Sequence, residues 1–133
     1  MIAVITSEFN KEIVNGLLDG CKKSLEGHDI DIIKVPGAFE LPSTAKQCVN
    51  SKKYLAVITL GCIIRGETDH YDYICQAVSI GIMNISIESN IPVLFGVLTC
   101  QNSQLAFERS RNNNLNKGFE VGLAALKLLK SSK

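Results

Sequence analysis

The sequence has no long run of like charges, no C-x-x-C pair, no internal repeat or low-complexity stretch, and no apolar run near the ~20 residues that a membrane span needs. Lys and Arg total 14 against 13 Asp and Glu, a formal net charge of +1, so the charge balance points to no nucleic-acid, polyanionic or membrane partner. The five cysteines, Cys21, Cys48, Cys62, Cys75 and Cys100, are odd in number, and each stands in an apolar or helical context. They read as reduced thiols in or near a core, where free Cys packs as a small hydrophobe, and not as disulfides or metal ligands. Residues 1–6 read as a strand and lack the basic region and cleavage site of a signal peptide. These absences predict a soluble, unexported, cytoplasmic chain. At 133 residues it fits one domain, 1–133, able to bury roughly two thirds of its unfolded surface.

What is present is an alternation. Residues 2–6 are apolar and β-branched, and the polar turn Ser7-Glu8-Phe9-Asn10 follows. Ile13, Val14, Leu17, Leu18, Cys21 and Leu25 then recur at helical spacing until Gly27. Residues 29–35 alternate polar and apolar as a second strand, ended by Pro36-Gly37, and Pro42 suits the first turn of a helix through Ala45, Cys48 and Val49. Residues 54–60 form a third, largely apolar strand, and Tyr71, Ile74, Cys75, Val78, Ile82 and Ile85 mark a helix of about five turns. A fourth strand at 92–98 precedes a short helix that Thr99, Asn102 or Ser103 can cap. A last helix carries Val121, Leu123, Ala124, Leu126, Leu128 and Leu129 as its apolar positions. Strands alternating with helices predict an α/β fold: a three-layer α/β/α sandwich, flavodoxin-like, with a four-stranded parallel sheet of order near 2-1-3-4.

In such a sheet the turns after Thr6, Val35, Leu60 and Leu98 gather on one edge, the usual place for a ligand. Phe9, Phe39, Glu40, Thr68, His70 and the Thr99 region are thereby expected to line one site. The stretch 61–73, Gly-Cys-Ile-Ile-Arg-Gly-Glu-Thr-Asp-His-Tyr-Asp-Tyr, carries most of the chemistry. A strand-to-helix turn presents backbone N–H groups without intrahelical partners and favours an anion such as phosphate. Gly66 lets the backbone come close, Thr68 can cap the helix, and His70 is placed to move protons beside the bound group. His28, in a polar turn, reads as a surface residue.

Four motifs in order, Phe9-Asn10, Pro36-Gly37-Ala38-Phe39-Glu40, the run from Gly61 to His70, and Glu108-Arg109 with Asn116-Lys117-Gly118, resemble the lumazine synthase family almost end to end. The resemblance implies a cofactor-independent transferase of riboflavin biosynthesis, without metal. It would condense 5-amino-6-(D-ribitylamino)uracil with 3,4-dihydroxy-2-butanone 4-phosphate to 6,7-dimethyl-8-ribityllumazine, releasing phosphate and water. By the same resemblance Phe9 stacks on the pyrimidinedione, while Ala38, Phe39 and Glu40 hold its edge and the ribityl chain. Cys62, Ile63 and Ile64 complete the wall, Glu67 and Thr68 form the phosphate turn, and His70 transfers protons. Phe95 and the phosphate-binding Arg109 reach in from a neighbouring subunit, with Lys117 in the same region. Two positions depart from the family pattern: Glu67 stands where a small residue is common, and Cys62 where Thr or Ala is.

Family members are free pentamers or shells of twelve pentamers. Shell formers usually carry a tight turn with Gly and Lys between the last two helices and an N-terminal arm. Here the turn reads Arg-Asn-Asn-Asn-Leu at 111–115, with asparagines that tolerate a left-handed backbone, and the sequence begins at its first strand. A homopentamer is the expectation. Two other readings fit the α/β pattern: a riboflavin synthase of the related archaeal type, and a flavodoxin-like flavin-binding or signalling module. The acidic cluster that a receiver domain needs after its first strand is missing.

Overall fold

The computed structural model describes residues 1–66 and 70–131. Among them four strands and five α-helices alternate: β1 (Ile2–Ser7), α1 (Lys11–Ser24), β2 (Ile30–Val35), α2 (Leu41–Ser51), β3 (Ala56–Ile64), α3 (His70–Glu88), β4 (Val93–Cys100), α4 (Ser103–Glu108) and α5 (Lys117–Ser131). The sheet is parallel throughout, in the order β2-β1-β3-β4. This is the expected α/β architecture and strand order.

All six residues of β1 and eight of nine in β3 are buried, because helices cover both faces of these central strands. Alternate side chains feed two cores. Ile2, Val4, Ile58 and Leu60 meet Leu17 and Cys21 of α1 and Val121 and Ala125 of α5. Ala3, Ile5, Val57 and Val97 meet Leu41 and Ala45 of α2 and Val78 and Ile82 of α3. A fully buried Leu or Ile contributes roughly 1.5–3 kcal/mol, so these two layers supply most of the stabilisation.

Three expectations needed correction. The strand expected at 54–60 runs from Ala56 to Ile64, since its register with β4 continues from Gly61↔Val97 to Ile64↔Cys100. Gly61 therefore lies inside a strand, where a Cβ would stand 2.9 Å from Leu41 Cδ1 and 3.1 Å from Ser7 Oγ. The second correction concerns α5, whose buried face is Gly118, Val121, Gly122 and Ala125, while Leu123 and Leu128 are exposed. A Cβ on Gly118 would fall 1.8 Å from the Leu17 carbonyl oxygen, and one on Gly122 would fall 1.9 Å from Ser24 Oγ. Gly16 and Gly20 on α1 are as tightly enclosed, against Ser110 and Asn116. Gly118 lets α5 lie directly against the α1 backbone, while the other three make room for Ser110, Asn116 and Ser24.

The third correction is the turn before α5. None of Asn112, Asn113 and Asn114 has a positive φ. Side-chain amides hold the turn instead: Asn113 Nδ2 donates to the Glu108 carbonyl at 3.2 Å, its Oδ1 accepts from Leu115 N–H at 2.8 Å, and Asn116 Nδ2 donates to the carbonyls of Arg111 and Gly16. Of the three candidate caps of α4, Asn102 serves, its Oδ1 accepting from Leu105 N–H at 2.9 Å. The cap assigned to Thr68 lies outside the described residues.

Candidate active site

The carboxyl ends of β1, β2 and β3 open into one cavity of about 310 Å³, lined by Phe9, Asn10, Gly37, Ala38, Phe39, Cys62, Ile63, Ile64, Gly66, His70, Tyr71 and Ile74. Three of the four turns anticipated from the sequence thus meet. Two other hollows lie elsewhere. One of about 90 Å³ sits between α1 and the α4–α5 connection, and an open one of about 900 Å³ sits at the opposite end of the sheet, by His28, Leu55 and Leu126. Neither lies at the carboxyl edge of the strands, where a parallel sheet places its ligands.

Each wall has a local cause. After β1, Glu8 N–H donates to the Val35 carbonyl at 2.8 Å and Phe9 N–H to the Pro36 carbonyl at 3.1 Å, so the turn is pinned to the end of β2. Asn10 then adopts the left-handed region at φ 59, which its short amide tolerates. Its Nδ2 donates to the Cys62 carbonyl at 3.0 Å, tying the turn to β3. The result leaves Phe9 72% exposed at the cavity rim. An aromatic face held open by a pinned backbone is available to stack on a flat ring.

After β2, Gly37 N–H donates to Glu40 Oε1 at 2.8 Å while Glu40 N–H donates back to the Gly37 carbonyl at 3.1 Å. This reciprocal pair fixes the short turn Ala38–Glu40 and leaves Phe39 60% exposed. The Glu40 carboxylate is thereby turned toward the turn's own backbone. It borders an adjacent groove with Phe39, Pro42, Ser43 and Ala77, and is not part of the cavity lining.

On β3, Cys62 directs its thiol into the core under α1, where burial, with a smaller contribution from Cys100, pushes it up to about 12. A neutral, buried thiol supplies no nucleophile at ordinary pH. What Cys62 offers this wall is its backbone, the carbonyl that Asn10 holds. Opposite stands the first turn of α3, with His70 exposed and lining the cavity. The predicted phosphate residues Glu67 and Thr68 lie outside the described residues.

Sequence reasoning missed a group beside His70. Arg65 N–H continues the ladder to the Cys100 carbonyl at 3.0 Å. Its guanidinium carbon sits 5.4 Å from the centre of the Tyr71 ring, and its Nη1 lies 3.5 Å from Asp72 Oδ1. The Tyr71 hydroxyl is pushed up chiefly by burial, with Cys75 and Thr99 among the groups that act on it. The Thr99 region thus lies near the site, beside Tyr71. An Arg five residues before a His, with Tyr-Asp directly after that His, was the available signal.

Three predicted residues stand apart from the cavity of this chain. Phe95 is mid-way along the edge strand β4, paired with Thr59 and half-buried against the α2/α3 core. Arg109 ends α4 and is exposed, its charge opposing the burial that raises the Cys100 thiol. Lys117 opens α5, its N–H donating to the Arg109 carbonyl at 2.8 Å and its Nζ lying 3.3 Å from Glu120 Oε1. Among the described residues no group of three or more His, Cys, Asp or Glu side chains is disposed to hold a metal, and no helix is long and apolar enough to cross a membrane.

A cleft with two open aromatic faces, a backbone wall and a histidine at a helix start suits a flat, polar heterocycle and proton transfer. Compared with known families, residues 1–133 match the model of 6,7-dimethyl-8-ribityllumazine synthase from end to end, and the chain belongs to that family.

Proposed function

We propose that the protein condenses 5-amino-6-(D-ribitylamino)uracil with 3,4-dihydroxy-2-butanone 4-phosphate, releasing phosphate and water. The observation that carries this reading is the convergence of exposed Phe9, exposed Phe39 and His70 on one cavity within a chain of this family. Phe9 stacks on the pyrimidinedione; the Ala38–Phe39 turn and the backbone of Cys62, Ile63 and Ile64 hold its edge. Glu40 acts through the turn that it closes. Glu67 and Thr68 meet the phosphate beside the α3 N-terminus, where unpaired N–H groups favour an anion.

An arylamine attacking a ketone requires no nucleophilic side chain and no cofactor. It requires two reactants held in contact, a proton carrier for dehydration and phosphate loss, and donors for the leaving phosphate. His70 is the carrier. Orientation supplies most of the rate.

Phe95, Arg109 and Lys117 complete the cavity of a neighbouring copy. Two features support a shared site: these residues lie on the β4 side, away from their own chain's cavity, and α3 has a second apolar face in solvent. Tyr73, Ile80, Met83 and Ile87 recur along that face, with Tyr73 at 72% and Ile87 at 73% exposure. A helix apolar on both faces is built to be covered on both. The assembly is a homopentamer, acting in the cytoplasm.

Incubation with both substrates should yield 6,7-dimethyl-8-ribityllumazine, with inorganic phosphate competing against the butanone phosphate. Turnover of the lumazine alone would instead mark a riboflavin synthase, and inactivity with tight flavin binding a flavodoxin-like module. Light scattering in low and high phosphate should find a particle of five chains; a shell-sized particle in both buffers would overturn the pentamer.

A further inference from the structure

We infer that Arg65 is a positioning residue for His70, holding the first turn of α3 against the ends of β3 and β4. The inference rests on reading His70 as the proton carrier, and it concerns a residue outside the cavity lining. The first turn of a helix lacks half of its backbone ladder, so side-chain contacts decide how firmly it is held. His70 is the first residue of α3, and Tyr71 and Asp72 directly follow it. Arg65 engages both, with its guanidinium carbon 5.4 Å from the Tyr71 centroid and its Nη1 3.5 Å from Asp72 Oδ1.

The contacts tie three elements together. Arg65 is anchored by its own N–H to the Cys100 carbonyl at the end of β4, while its side chain reaches Tyr71 and Asp72 at the start of α3. Three element ends are thus joined around the histidine. Arginine suits this place because a planar guanidinium can lie on a ring and still direct an N–H to a carboxylate, which an ammonium cannot do together. Nor is the arrangement needed for the fold, since both side chains of the ion pair are about half exposed. A direct phosphate-binding role for Arg65 is the competing reading, but its charge already faces Asp72 and Tyr71 and its side chain does not border the cavity.

The chain has two histidines, so ¹³C-imidazole labelling of the full protein gives two NMR signals, with His28 as internal reference. At one fixed pH, Arg65→Ala should shift or broaden the His70 signal and leave the His28 signal unchanged. An unaltered His70 signal overturns the proposal, whether or not the enzyme is active in the assay. With the two substrates, kcat should fall about 5- to 20-fold while both KM values stay within about 2-fold, the pattern of misplacement and not of lost binding. A rise in KM for the butanone phosphate at unchanged kcat would make Arg65 a phosphate ligand and overturn the proposal. Arg65→Lys should restore part of kcat and part of the His70 line shape together; restoration of one without the other also overturns it. Inactivity of the wild-type protein would sink the assigned reaction instead, and the NMR comparison would still test Arg65.

Discussion

The two helical layers of this sandwich are finished to different degrees. On one side of the sheet α5 lies against the α1 backbone at Gly118, Gly122 makes room for Ser24, Gly16 and Gly20 make room for Ser110 and Asn116, and Asn116 ties the start of α5 to α1 by accepting from Phe119 N–H and donating to the Gly16 carbonyl. On the other side α3 packs Val78 and Ile82 inward and presents Tyr73, Ile80, Met83 and Ile87 to solvent. The α1/α5 contact is complete within one chain, while the α3 face has apolar surface left to cover. The cavity opens at the end of α3, on the incomplete side. Both layers carry a buried core, and the cavity and the exposed apolar stripe of α3 share the second.

The hardest way to break this division is to crowd the finished layer. Gly118→Val should destabilise by at least ~3 kcal/mol, since the Leu17 backbone, not a flexible side-chain tip, stands where the new Cβ must go. Gly66→Ala is the matched control at the cavity, because among the described residues a Cβ there meets nothing within 4 Å and φ is not in the left-handed region. Denaturant melts should show a large loss for the first and less than ~1 kcal/mol of change for the second. Equal losses would mean that the α1/α5 contact is looser than drawn.

Next in size is a charge placed on the unfinished layer. Ile80→Glu adds a carboxylate to a side chain that is 59% exposed, so the single chain should keep its stability. If α3 is covered by a neighbouring copy, the buried charge should disrupt the assembly to species near the 14.5 kDa of one chain and abolish activity, because the shared sites are lost. Sedimentation paired with the condensation assay reads both. A variant that remains assembled and active would remove α3 from the interface.

The sequence displayed the frame well and the joints poorly. The strands β1 and β3, covered on both faces, read as continuous apolar runs, and α1 shows helical spacing, so topology followed from pattern alone. The α5 face was misjudged because leucines draw attention and glycines do not, although at a close crossing the small residues are the buried ones. The asparagine turn was read as backbone tolerance when its amides act as hydrogen-bonding side chains. At the cavity, Phe9, Phe39 and His70 were legible as unusual residues at strand ends. Asn10 reaching Cys62 across 52 positions was not, nor was Arg65 on Tyr71, since no local pattern encodes which neighbour a polar side chain finds.

Two substitutions test the chemistry of the proposed site. Arg109→Ala should raise KM for the butanone phosphate roughly 10- to 100-fold and spare aminouracil binding, through loss of a charge-assisted contact to phosphate. A larger loss of aminouracil affinity would count against that assignment. His70→Ala should lose roughly one to two decades in kcat and stay measurably active, because orientation survives the substitution. Complete inactivity in a folded variant would mean that the proton carrier, and not orientation, dominates; an unchanged rate would make His70 structural.

The smallest expected effect separates the layers by pH. Cys21, sealed in the α1/α5 layer, is pushed by burial from 9.0 to about 12, whereas half-buried Cys75 on α3 is raised by burial but drawn back by neighbouring Tyr71. In the unfolded chain a thiol loses its proton around pH 9.0, while folded Cys21 retains its own until about 12. Above 9 the unfolded chain therefore binds fewer protons than the folded one, and stability falls as pH rises through that window; below 9 this thiol contributes no slope. The loss is on the order of 1 kcal/mol by pH 10. Denaturant midpoints at pH 8 and pH 10 should differ less in Cys21→Ala than in the wild type, and Cys75→Ala should change the difference less than Cys21→Ala does. If Cys75→Ala flattens the pH dependence more, the thiol under the glycine-packed helices is less sealed than the one on α3, and the contrast between the layers fails at that position.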